Sequence, residues 1–186
     1  MVEPADVPRI LLDAARLIRE GELVLFGSAA LAFWLPEAPR TRDVDLWCDP
    51  AERGAAVTAL MGELSWYHDR HGAYVEVWGP ETFAAPSDWR RRARILTEED
   101  APGVRLVVPH PHDVMLAKVE RWDPSDVDHA RRILRVYPLT TAALLDLDER
   151  MPYRDGRIVD PRRREAYEIN LGKLLLLVEG ARLPEP

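Results

Sequence analysis

Hydrophobic residues in the first half of the chain alternate between helical and strand-like spacing. Residues 5–20 carry apolar side chains three and four positions apart, which predicts an amphipathic helix. The run LVLF at 23–26 is short and continuously apolar, which is typical of a strand buried on both faces. The same reasoning predicts three further strands and one short helix, at 43–47, 73–78, 104–109 and 28–35.

A cap and a proline mark the start of the next helix. Asp49 is a favourable cap, and Pro50 suits the first helical position. The helix predicted to follow has four apolar residues on one face: Val57, Leu60, Met61 and Leu64. Residues 80–102 are less regular and carry a basic cluster: Arg90, Arg91, Arg92 and Arg94. This cluster is interpreted as a solvated face or, alternatively, as a patch that binds the acceptor or a triphosphate.

The second half of the chain has helical spacing throughout. Four helices are predicted there, at 113–122, 125–136, 140–150 and 161–180. We therefore expect an α/β (α+β) fold, with a mixed β-sheet and its helices over residues 1–110. A helical C-terminal region over residues 111–186 is expected to follow.

Composition narrows the class of protein. The net charge of −7 argues against broad binding to nucleic acid, so stable DNA binding is not expected. The single cysteine, Cys48, rules out an intrachain disulfide and suits a reducing compartment. No apolar run is long enough to span a membrane, and the acidic, proline-broken start does not resemble a signal peptide. We expect a cytoplasmic protein without a membrane partner.

Two acids interrupt the predicted strand 43–47. Side chains two residues apart in a strand share a face, so Asp43 and Asp45 are neighbours and repel each other unless a cation lies between them. Mg²⁺ takes such oxygen ligands, often together with substrate phosphates. Glu76 would complete a cluster of three acids if its strand lies beside 43–47. The alternative is that all three acids belong to solvated strand faces.

A glycine-serine pair ends the first predicted strand. Gly27 would let the backbone approach a ligand closely, and the N–H groups of the following helix could receive phosphate oxygens. Ser28 would add a hydroxyl donor, although it could equally be a simple helix cap.

The order of these motifs resembles a known superfamily. Gly27-Ser28, a short helix and then D-x-D on a strand are similar to the nucleotidyltransferase fold of the DNA polymerase β type. The run Arg40-Thr41-Arg42-Asp43-Val44-Asp45 resembles the signature of the branch related to abortive-infection toxins of type IV toxin–antitoxin systems and their uncharacterised relatives. The resemblance covers roughly residues 20–137. One departure is His129, near whose position relatives often carry a further acid.

The resemblance implies a magnesium-dependent enzyme that transfers a nucleoside monophosphate from a nucleoside triphosphate to an acceptor, either tRNA or a protein. It implies that Mg²⁺ is held by Asp43, Asp45 and Glu76, with Glu76 as third acid or general base. It implies nucleotide binding by Gly27, Ser28, Arg40, Thr41 and Lys118. A cognate toxin or antitoxin is an expected partner.

Other functions stay open at this point. One is a catalytically inactive, antitoxin-like protein that binds a nucleotide or a partner. Another is a small-molecule nucleotidyltransferase of the aminoglycoside type. Zinc is disfavoured, because His110 and His112 lack a second pair of ligands at suitable spacing. Trp47 and Trp78 share the faces of the acids and are candidates for contact with a nucleobase.

Overall fold

The computed structural model describes residues 1–97 and 99–180 of the 186-residue chain. In these residues the β-strands are β1 Gly21–Leu25, β2 Val44–Asp49, β3 Val75–Val77, β4 Arg94–Thr97 and β5 Val104–Val108. The α-helices are α1 Val7–Ile18, α2 Gly54–Met61, α3 Trp66–His71, α4 Pro111–Ala117, α5 Pro124–Val136, α6 Thr141–Asp148 and α7 Pro161–Val178. Short 3₁₀ helices lie at Pro4–Asp6, Ser28–Phe33, Ala51–Arg53, Pro80–Thr82 and Trp89–Arg91.

Two compact units make up the chain. Unit 1 comprises Met1–Phe83 and Arg92–His110, and it contains all five strands together with α1, α2 and α3. Unit 2 comprises Ala84–Arg91 and the described chain from Pro111 onward, and it contains α4 to α7. None of the described helices combines the length and hydrophobicity that a bilayer crossing needs.

A mixed five-stranded sheet forms unit 1, in the order β3-β2-β1-β5-β4. The central strand β1 runs antiparallel to β2 and parallel to β5, while β2 and β3 are parallel and β4 and β5 antiparallel. Leu23, Val24 and Leu25 of β1 are all buried, as the continuous apolar run predicts. The predicted α/β fold with a mixed sheet is confirmed.

One face of the sheet is covered by α2. Gly54 of α2 approaches the strands so closely that an added Cβ would lie 2.7 Å from Cγ1 of Val77 and 3.6 Å from Sγ of Cys48. Because strand side chains alternate between faces, Val77 and Cys48 point to the opposite face from Glu76 and Asp45. The two acids therefore lie on the sheet face that α2 does not cover.

The helix predicted after Pro50 is shorter than its apolar pattern suggests. It ends at Met61, and Leu64 adopts a φ of 65° with 86% of its surface exposed. Leu60 is exposed as well, so the predicted four-residue apolar face is wrong. Ser65 then caps a separate helix, α3, by accepting a hydrogen bond from the His68 N–H. Gly62 and Ser65 are the turn and cap signals that divide the two helices.

Strand β4 lies within the segment predicted to be irregular. It pairs antiparallel with β5 at one edge of the sheet, and most of its side chains are exposed. An edge strand with solvated side chains lacks the apolar alternation by which strands are recognised. The segment predicted as a short helix at 28–35 is the 3₁₀ helix Ser28–Phe33.

Several acids of unit 2 are matched by cations or hydroxyl donors. Asp126, at the start of α5, accepts hydrogen bonds from Arg121 at 2.9 and 2.8 Å and from Lys118 Nζ at 3.2 Å. Its carboxylate also accepts from the Asp123 N–H, which completes a capping box. These bonds hold the turn after α4 against the first turn of α5.

A second matched acid lies on the turn after α4. Glu120 accepts a bidentate hydrogen bond from Arg163 of α7 at 2.8 to 3.0 Å and another from the Tyr153 hydroxyl at 2.5 Å. The hydrogen bonds outweigh the burial that favours the neutral acid, so the pKa of Glu120 is below its ordinary value. The helices of unit 2 are thus tied together by satisfied ionic groups as well as by apolar packing.

Candidate active site

The turn after β1 sets the geometry of the site. Gly27 adopts a φ of 64° and a ψ of −162°, a combination that is essentially confined to glycine. An added Cβ at Gly27 would lie 2.2 Å from Oδ2 of Asp45. The Phe26 N–H donates to the Asp45 carbonyl oxygen at 3.0 Å, which fixes the turn beside β2. Glycine is therefore required both by the backbone conformation and by the contact with the carboxylate.

Parallel pairing of β2 with β3 brings the sequence-predicted acids together. Asp45 and Glu76 are partners in register, so their Cα atoms lie about 4.8 Å apart and their side chains share a face. Asp43 comes directly before β2, on the same face as Asp45, and its side chain is 16% exposed. The three acids occupy neighbouring positions on one sheet face, beside the Gly27 turn.

Each carboxylate already has a neighbour that holds it. Arg42 Nε donates to Asp43 Oδ2 at 3.2 Å, and the Trp78 indole Nε1 donates to Asp45 Oδ1 at 3.1 Å. Burial raises the pKa of Glu76 above its ordinary value, and the negative charge of Asp43 raises it further. Arg42 and a hydrogen bond from Trp78 partly offset that rise. The raised pKa favours proton uptake by Glu76.

Hydroxyl groups line the other side of the turn. Ser28 Oγ lies 2.8 Å from Thr41 Oγ1, so these two predicted nucleotide-binding residues meet. The Thr41 backbone pairs with Val2 through two hydrogen bonds, at 2.6 and 3.2 Å. Arg40 is exposed and forms an ion pair with Glu3 at 2.8 Å. The structure thus joins Ser28 and Thr41, whereas Arg40 is engaged with the N-terminal segment.

Lys118 belongs to unit 2, whereas the other predicted site residues belong to unit 1. It lies one residue beyond the end of α4, which is shorter than the helix predicted at 113–122. Its side chain is 16% exposed, and its ammonium group pairs with the fully buried side chain of Asp126. Contact between Lys118 and a nucleotide stays a prediction.

Two residues near the acids were not assigned a role from the sequence. Arg42 lies between Thr41 and Asp43 in the motif run, and it pairs with Asp43. Tyr74 is buried, and burial together with the charge of Asp43 raises its pKa above the ordinary value. The signal that could have found Tyr74 is parity, because it lies two residues before Glu76 and therefore points to the same face.

Trp47 and the two histidines are engaged in packing or local contacts. Trp47 is 5% exposed and packs against Phe26 and Phe83, with ring centroids 5.5 and 6.0 Å away. It is therefore core material, whereas Trp78 is 46% exposed. His110 contacts the Trp34 ring edge-on at 5.0 Å, and His112 Nε2 lies 2.9 Å from the Tyr137 carbonyl oxygen.

The donor set at this site suits a hard cation. As the side chains stand in residues 1–97 and 99–180, no three or more His, Cys, Asp or Glu converge closely enough to hold a metal ion. The carboxylates of Asp43 and Asp45 nevertheless share a face. Because residue 27 is glycine, no Cβ occupies the space next to Asp45 Oδ2. Mg²⁺ is commonly held by one or two carboxylates plus substrate phosphates, so these residues fit it.

The mixed sheet, the glycine turn after its central strand and the D-x-D on the neighbouring strand define the nucleotidyltransferase class of domains. A family model described as "nucleotidyltransferase of unknown function (DUF6036)" matches residues 9–136, and the chain belongs to this family. The predicted membership of the nucleotidyltransferase superfamily is confirmed. Neither the curated proteins nor the solved structures give a match.

Proposed function

We propose that this protein is a magnesium-dependent nucleotidyltransferase, which transfers a nucleoside monophosphate from a nucleoside triphosphate to a hydroxyl group of tRNA or of a protein. The observation that carries the proposal is the register of β2 and β3, which sets Asp45 beside Glu76 and against the Gly27 turn. Membership of a nucleotidyltransferase family supports the class of reaction.

The residues of unit 1 have the chemistry for such a transfer. Asp43 and Asp45 would hold Mg²⁺, which neutralises phosphate charge and aligns the attacking and leaving oxygens when bound. Ser28, on the turn that follows β1, and Thr41, whose hydroxyl meets that of Ser28, would donate hydrogen bonds to oxygens of the triphosphate. The backbone of Gly27 allows the phosphates to approach without a side chain in the way.

Glu76 would act as the general base. The acceptor oxygen forms a bond to the α-phosphorus as the bond from that phosphorus to the bridging oxygen breaks, and pyrophosphate leaves. The hydroxyl proton passes to the Glu76 carboxylate. The raised pKa of Glu76, caused by burial and by Asp43, favours proton uptake by this acid.

Incubation with an α-³²P-labelled nucleoside triphosphate, Mg²⁺ and a cell extract tests the proposal. Each of the four nucleotides is used in turn, and label is followed into RNA, protein and small molecules. We expect label in RNA or protein. Label in a small molecule instead would indicate the aminoglycoside type of acceptor, and nucleotide binding without any labelled product would indicate an inactive, partner-binding member.

The double variant Asp43→Asn with Asp45→Asn keeps the side-chain volumes and removes both charges. We expect it to lose labelling. The matched control is Asp69→Asn, which removes an exposed acid from α3 in the same unit and should label like the wild type. Persistent labelling by the double variant would refute the assignment of these acids.

A further inference from the structure

Trp78 is held next to the acids by the backbone of the sheet. It follows β3 directly, and its N–H donates to the Leu46 carbonyl oxygen of β2 at 2.9 Å. This bond continues the ladder in which Asp45 faces Glu76, so Trp78 lies one step beyond the two acids. Since it is two residues from Glu76, its side chain points to the same face as the acids.

The indole of Trp78 distinguishes the two oxygens of Asp45. Its Nε1–H donates to Oδ1 at 3.1 Å and also contributes a hydrogen bond to Glu76, whereas Oδ2 lies on the side of the Gly27 turn. The carboxylate of an aspartate can rotate about its Cβ–Cγ bond. Repulsion from the like charges of Asp43 and Glu76 favours such a rotation of the Asp45 carboxylate. A hydrogen bond from a fixed donor opposes that rotation.

The ring itself is an unusual choice for this position. Trp78 is 46% exposed, so much of a large apolar surface remains in water. Packing alone does not require tryptophan at a half-exposed site just beyond an edge strand of the sheet. The indole N–H group, which is directed at Asp45, accounts for the tryptophan at this position. The backbone of the same residue is paired to β2.

We propose that Trp78 is a positioning residue, whose indole N–H holds Oδ1 of Asp45 and thereby keeps Oδ2 turned toward the Gly27 turn for the metal and the phosphates. This inference rests on the proposed function, because it assigns Trp78 to the same metal-binding acids. Donors that orient a ligating carboxylate typically change metal affinity by about 10- to 100-fold when they are removed.

The variants that test this role separate the ring from its N–H group. Trp78→Phe keeps an aromatic ring and removes the donor, whereas Trp78→His restores a ring N–H. Trp66→Phe makes the same change at a second exposed tryptophan, on α3 and outside the proposed site. Binding of Mn²⁺ alone, measured by isothermal titration calorimetry, gives a readout that does not depend on catalysis.

We expect Trp78→Phe to bind Mn²⁺ about 10-fold more weakly than the wild type or worse, with Trp78→His partly restored and Trp66→Phe unchanged. Equal affinity in the wild type and Trp78→Phe, with binding abolished in Asp45→Asn, would overturn the role of Trp78 and leave the proposed function intact. A wild type that neither binds Mn²⁺ nor transfers nucleotide would overturn both.

The hydrogen bond itself has a spectroscopic signature. In a ¹H–¹⁵N spectrum the Trp78 indole N–H signal is identified by its loss in Trp78→Phe. We expect this signal to move in Asp45→Asn and to move again when Mg²⁺ is added to the wild type. A signal that ignores the charge of Asp45 would overturn the contact on which the inference depends.

Discussion

Asp126 and Glu120 of unit 2 differ from Glu76 of unit 1 in the groups that surround their carboxylates. In unit 2, Asp126 and Glu120 each accept hydrogen bonds from cations; although burial opposes ionisation, these bonds dominate and the pKa values are lowered. In unit 1, Glu76 lies beside Asp45, and burial together with the charge of Asp43 raises its pKa. Acids that form ion pairs with basic side chains stabilise a fold, whereas acids placed next to other acids are typical of functional sites that bind a cation. The predictions below test this division.

The largest expected effect is on activity in unit 1. We expect Asp45→Asn to reduce nucleotide transfer by at least about 10³-fold, because metal-assisted stabilisation of phosphate charge is worth several kcal/mol. The free energy of unfolding should not fall, since the substitution removes a charge from a group of like charges. Initial rates and urea unfolding check the two parts. A variant that loses stability in proportion to activity would break the comparison.

The converse is expected in unit 2. Asp126→Ala should lower the free energy of unfolding by about 3 kcal/mol, because it leaves the largely buried Lys118 ammonium without its partner. The figure is at the lower end for buried pairs, since Arg121 is 58% exposed and regains water. The control Asp128→Ala removes an exposed ion pair with Arg132 on the same helix and should cost less than about 1 kcal/mol. Urea unfolding curves distinguish these outcomes, and equal losses would contradict the division.

Gly27 is expected to combine both effects. Gly27→Ala should cost about 1–3 kcal/mol for the backbone conformation and should also reduce nucleotide transfer, because the Cβ displaces the Asp45 carboxylate. The matched control is Gly72→Ala, whose φ of 63° is also positive but where no atom lies within 4 Å of an added Cβ. It should lose about 1–2 kcal/mol of stability and no activity. Full activity in Gly27→Ala would rule out a close contact between the turn and the reacting groups.

The smallest expected effect is a pH dependence in unit 2. Burial, and then the charge of Lys118, hold the pKa of His129 below its ordinary value, while Asp126 and Asp128 partly offset them. A lowered folded pKa favours the neutral imidazole, so the stabilisation is present above about pH 6.5, the unfolded value, and is lost as the pH falls through the folded pKa. We expect the wild type to lose more stability than His129→Gln between pH 7.5 and 5.5, as measured by urea unfolding. Equal losses of stability in the wild type and His129→Gln would show that His129 does not cause the pH dependence.

The fold could be predicted where the apolar pattern is unambiguous. The period-two pattern of 43–47 predicted the shared face of Asp43 and Asp45, and the continuous run at 23–26 predicted the buried central strand. Strand β4 could not be found in this way, because its edge position leaves most of its side chains in water. Leu64 misled the helix prediction, since an apolar residue usually marks a buried face whereas this one is exposed.

The sequence was enough to predict which residues belong to the candidate site but not which of them contact one another. The sequence does not determine whether β2 and β3 are adjacent, and the strand order of the sheet shows that they are. The bond from Trp78 to Asp45 joins residues 33 positions apart and depends on that adjacency. The pairing of Lys118 with Asp126 depends likewise on a turn whose geometry no periodicity encodes. The role of Lys118 in nucleotide binding stays a prediction.

The bridge between Val2 and Thr41 has a practical consequence for work with this protein. Affinity tags fused ahead of Met1 would emerge one residue from the backbone pairing that supports Thr41, whose hydroxyl meets that of Ser28. An uncleaved tag or a scar of a few residues is therefore expected to disturb the contact between Ser28 and Thr41 and to imitate a damaging substitution. Rates of variants are best compared on protein from which any such leader has been removed.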